Sequence, residues 1–137
     1  MACPYFEPAG RLSDECWIRP PRMPLGAACA GVCRAPSAEE YRPDAATLYE
    51  NCNLGYARGR CQHFPESSPA DAIRFAASTV SEGLIRIRYI VEKDHAPVDH
   101  GIFEYSAGQL SGPESPVVLR SQARAFLESY LAERVRE

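Results

Sequence analysis

Beyond residue 61 this chain has no cysteine, although six crowd into the stretch before it. Lysine is nearly missing, with Lys93 standing alone against fourteen arginines, and the net charge is −3. The excess of positive charge that marks a general nucleic-acid binder is therefore lacking, and no nucleic-acid partner is expected. No run approaches the roughly 20 apolar residues that cross a bilayer, so no membrane partner is expected either. The first residues, Met1-Ala2-Cys3-Pro4-Tyr5-Phe6-Glu7-Pro8, carry neither a basic stretch nor an apolar signal-like run. That leads to the expectation of a cytoplasmic protein. Phosphate-binding glycine loops, Gly-x-Ser-x-Gly elbows, His-Glu-x-x-His and kinase signatures are also missing. Catalysis has no motif to rest on.

What is present divides into two grammars. Residues 1–65 hold all the cysteines and most of the twelve prolines, with few Leu, Ile or Val. Proline fixes φ and removes a donor, so long regular elements are not expected there. One short helix is: Asp44 caps it, residues 45–52 form it and residues 53–55 stop it. The rest of this half reads as ordered loop that needs something to tie it down.

Residues 66–137 read as α+β. Ser68-Pro69-Ala70-Asp71 is a helix start signal, and the spacing of Ile73, Ala76, Ala77 and Val80 predicts a helix to about Thr79. Ile85, Ile87, Tyr89 and Val91 alternate with Arg86 and Arg88, the pattern of a half-buried strand. A polar loop over 92–101 then leads to a second strand, Ile102-Phe103-Glu104-Tyr105. Residues 116–119 read as a short strand or a lead into the last helix. From 121 to 136, Ala123, Phe126, Leu127, Tyr130 and Leu131 make one helical stripe. The expected fold class is α+β: an antiparallel hairpin with two helices, joined to a loop-rich Cys/Pro half organised by a metal centre.

The cysteine spacing is C-x12-C-x12-C-x3-C-x18-C-x8-C. Zinc knuckles and thioredoxin-type redox motifs use C-x2-C, which does not occur here. Thiolates arriving from separate loops suit a polynuclear centre whose corners lie further apart. Iron–sulfur clusters are held by four Cys, and Cys3-Pro4 matches the Cys-Pro step of ferredoxin-type runs. Between Cys52 and Cys61 lie two glycines and two arginines. Glycines let backbone N–H groups approach sulfur, and Arg58 and Arg60 are candidates to offset the charge of a four-thiolate cofactor.

The segments Cys3-Pro-Tyr-Phe-Glu-Pro, Pro24-Leu-Gly, Ala30-Gly-Val-Cys33 and Cys52-Asn-Leu-Gly-Tyr-Ala-Arg-Gly-Arg-Cys61 resemble a group of uncharacterised bacterial cysteine-rich proteins. The resemblance extends thinly to Ile87-Arg-Tyr and Pro97-Val-Asp-His-Gly. It implies no activity, but it implies which cysteines form the set: Cys3, Cys33, Cys52 and Cys61. Cys16 and Cys29 fall outside it, with Cys29 a substitute for Cys33.

The first expectation is thus a [4Fe–4S] cluster on Cys3, Cys33, Cys52 and Cys61, in electron transfer or redox sensing with a protein redox partner. The alternative is structural zinc in a protein-interaction module. Three disulfides in a secreted product and unligated thiols are the remaining readings. His63, two positions past Cys61, is an alternative ligand or, more simply, a surface neighbour. His95 and His100, each beside an aspartate, have the composition of a metal or acid–base site but read more simply as a hydrated hairpin loop. Tyr5, Phe6, Trp17 and Tyr56 are the large apolar residues of the cysteine half, expected to pack it.

Overall fold

The computed structural model of the chain describes residues 2–11, 29–35, 41–113 and 116–136. Two antiparallel sheets and one long helix make up its regular structure. β1 (Phe6–Arg11) pairs with β2 (Cys29–Cys33), an element the proline content argued against. Gly31 is required there, because the Glu7 carbonyl of the facing strand leaves no space for a Cβ. α1 (Ala45–Thr47) runs into a π-helical turn (Leu48–Cys52). Asp44 Oδ1 accepts the Thr47 N–H at 2.8 Å, as its capping position requires. Gly55, at φ 78°, then turns the chain away.

The second sheet has the order β3 (Ala72–Ser81), β4 (Leu84–Lys93), β5 (Ala96–Ser106), β6 (Gln109–Ser111). The helix expected from Ser68 to Thr79 is therefore a correction: residues 72–81 are strand. Ser68 Oγ accepts the Ala70 N–H at 3.3 Å and donates to the Ala70 carbonyl at 2.7 Å, closing a local turn where a helix cap was expected. Ile73, Phe75, Ala77 and Thr79 oppose Val91, Tyr89, Ile87 and Ile85 in register. Pairing with the strongly alternating β4 outweighs the modest helix preference of the alanines. With one of the two expected helices a strand, the fold is α+β but mostly sheet.

The loop expected over 92–101 is also shorter. Only Asp94 and His95 turn, both at positive φ (52° and 64°), and β5 starts at Ala96. Two positive-φ residues suit the right-handed twist of a tight hairpin. On the inner face Ile87 meets Phe103 across β4 and β5, and Tyr89 faces Gly101, where a Cβ would collide with the Tyr89 ring. α2 (Val117–Arg136) begins four residues before the expected start. It lays Leu119, Ala123 and Leu127 on Ile73, Ile85, Ile87, Tyr89 and Phe103.

A second core lies in the cysteine half: Ala2, Cys3, Phe6, Cys29, Leu48, Cys52, Ala57 and Phe64. Ala125 of α2 packs on it, and Phe75 touches both cores. Ala2 bridges Ile73 by a pair of backbone bonds, 2.7 and 2.8 Å. Gln122, fully buried on α2, donates Nε2 to the carbonyls of Cys3 and Phe6, each at 2.7 Å. Among the described residues no helix is long and apolar enough to cross a membrane.

Candidate functional site

Cys3, Cys33, Cys52 and Cys61 all line one cavity. They reach it from four places: the turn before β1, the end of β2, the end of the π-helical turn, and the turn following Ala57. Each is pinned through its backbone. Cys3 N–H donates to the Cys52 carbonyl at 3.0 Å, Cys33 N–H to Tyr41 at 2.8 Å and Cys61 N–H to Ala57 at 2.8 Å, while the Cys61 carbonyl accepts from Phe64 at 3.1 Å. The four are unbridged thiols, three of them buried and Cys61 half-buried. Tyr5, Phe6, Ala35, Ala57 and Phe64 supply apolar wall. The hollow measures about 340 Å³ with its mouth and leaves about 20 Å³ clear of its walls.

Electrostatics bind the four together. Burial first, then the nearness of Cys33 and Cys61, push the Cys3 thiol up to about 12. Backbone N–H groups of Tyr5 and Phe6 pull the other way, toward the thiolate. Burial likewise raises Cys52, reinforced by Cys3, Cys33 and Cys61. Cys33 is raised by burial and by Cys61 and lowered by the Ala35 N–H. Four thiols that would repel one another as anions thus share one hollow, three of them already facing backbone amide donors. Among the described residues, however, no three His, Cys, Asp or Glu side chains are grouped to hold a single metal ion.

Arg58 does not line the hollow. Its Nε and guanidinium NH2 meet the buried Asp71 at 3.0 and 2.9 Å, it donates to the Glu66 and Ser68 carbonyls, and it lies over the Phe64 ring. Arg60 is exposed and borders an open recess of about 500 Å³ with its mouth. Tyr41, Thr47, Asn51, Cys61 and His63 line both spaces. His63 therefore sits at the rim, its ring 4.2 Å from that of Tyr41. Cys29 is buried but faces a different recess, with Ser121, Arg124 and Glu128. Cys16 and Trp17 lie outside the described residues.

Tyr56 is not at the hollow either. Its hydroxyl donates to Glu92 at 2.8 Å and accepts the His95 N–H at 3.1 Å, and its ring stacks on His95. His95 is thereby held in the turn, while His100 is exposed on β5.

Three residues that hold or line the site escaped the sequence. Asn53, fully buried, accepts the Cys29 N–H at 3.0 Å and donates to the Cys29 and Leu48 carbonyls at 3.0 and 2.9 Å. Gln122 anchors the Cys3 turn. Asn51 lines the hollow. No spacing rule marks a lone amide as buried, so no signal was available. No protein-family model matches the chain, and no curated protein or solved structure matches it either.

Proposed function

We propose that the chain is an iron–sulfur protein in which Cys3, Cys33, Cys52 and Cys61 hold a [4Fe–4S] cluster, serving electron transfer or redox sensing with a protein partner. One observation carries the reading: four thiols from four separate segments meet at one apolar hollow. Thiolate ligands on separate loops suit a polynuclear cluster, and backbone N–H groups aimed at Cys3 and Cys33 sulfur are the donors that tune one. The half-buried Cys61, beside the open recess, supplies an edge through which an electron enters or leaves.

The test is iron, zinc and acid-labile sulfide counted per chain after purification without oxygen. About four iron and four sulfide are expected, with visible absorbance that bleaches in air. Serine at any one of Cys3, Cys33, Cys52 or Cys61 abolishes that content, whereas Cys29→Ser retains it. Zinc without sulfide, or no metal at all, overturns the proposal.

A further inference from the structure

Asn51 precedes Cys52 in the π-helical turn and is 8% exposed. Its backbone is fixed, the carbonyl accepting Gly55 N–H at 2.8 Å and Leu54 N–H at 3.3 Å. Its side chain is another matter: the buried Oδ1 has no hydrogen-bond partner among the described residues. Two positions on, both polar side-chain atoms of Asn53 are bonded. Buried amides are nearly always satisfied, and an unpaired one asks for a ligand. Asn51 lines both the thiol hollow and the outer recess, together with Cys61. Half a turn about its terminal bond exchanges oxygen for NH2, so the same site offers a donor.

We infer that Asn51 is a positioning residue for the cluster, its carboxamide N–H donating to cluster sulfur on the Cys61 side and shielding that edge from the recess. This rests on the cluster reading above. A donor at sulfur stabilises the more negative, reduced state, so Asn51 raises the reduction potential. It also slows attack on the edge that solvent reaches most easily.

The experiment takes the full-length protein, loaded without oxygen, as wild type, Asn51→Leu and Asn51→Asp. Iron and sulfide are counted first, then potential and the rate of bleaching by air are measured. Expected are unchanged iron, a potential that falls from wild type to Leu to Asp, and bleaching several-fold faster in both variants. Aspartate keeps the shape while exchanging the donor for negative charge, so it remains informative if leucine disturbs folding. Iron present in all three with equal potentials and equal bleaching overturns the role of Asn51 alone. Iron missing from the wild type overturns the cluster reading and this inference with it.

Discussion

The two cores of this protein are built by opposite means. Around the larger sheet, branched aliphatics and aromatics from β3, β4, β5 and α2 meet in register, and the backbone is satisfied by its own ladders. Three of the eight buried residues in the other core are cysteines, and beside its backbone bonds five backbone groups are satisfied by amide side chains, those of Asn53 and Gln122. A core of the first kind is self-sufficient. One of the second kind holds polar sulfur against an apolar wall and leans on side-chain amides from elsewhere in the chain.

The largest break in this comparison comes from Phe103→Ala. Phe103 is fully buried between Tyr89 and Ile87, and truncating such a ring costs about 3–5 kcal/mol. Both cores lean on this sheet, so one cooperative loss is expected in denaturant titration. Asn53→Ala comes next. It removes the side-chain partners of the Cys29 N–H and carbonyl, while the Leu48 carbonyl keeps the Asn53 backbone N–H, at about 2 kcal/mol in all. Amide hydrogen exchange is expected to quicken at residues 29–33 and 48–53, while β3, β4 and β5 keep their protection; uniform loss across the chain would contradict separate cores.

The smallest effect lies on the seam between the halves, at Asp71. Burial pushes its carboxyl up, but the Asp94 N–H and the Arg58 guanidinium outweigh that and hold it below the usual carboxylate range. With the folded value below the unfolded one of about 3.9, Asp71 stabilises the fold at neutral pH. That contribution fades as pH falls below about 4 toward the folded value. Denaturation is expected to show lower stability at pH 3 than at pH 7 with a small part attributable to this residue, and Asp71→Asn removes that part of the pH dependence.

Legibility in the sequence followed the same division. The alternation of Ile85, Ile87, Tyr89 and Val91 named β4, and the stripe from Ala123 to Leu131 named α2, because in both a single buried face dictates the residue types. β3 was misread because Ser68-Pro69-Ala70-Asp71 imitates a helix start and alanine tolerates either backbone. What decided its state was the strand beside it. The four cysteines that the resemblance implied all line the hollow, whereas Arg58 is engaged by Asp71, a partner 13 positions away that only folding brings close. The anchoring amides were invisible, since their burial depends on carbonyls up to 119 positions distant.

That last distance also sets a timetable. The carbonyls of Cys3 and Phe6 wait for Gln122, so the turn carrying the first thiol stays unfinished until α2 has left the ribosome. Loops closed over such spans form late. A chain still being synthesised therefore holds Cys3 in a turn whose carbonyls lack their final donor, and that corner of the hollow is fixed last.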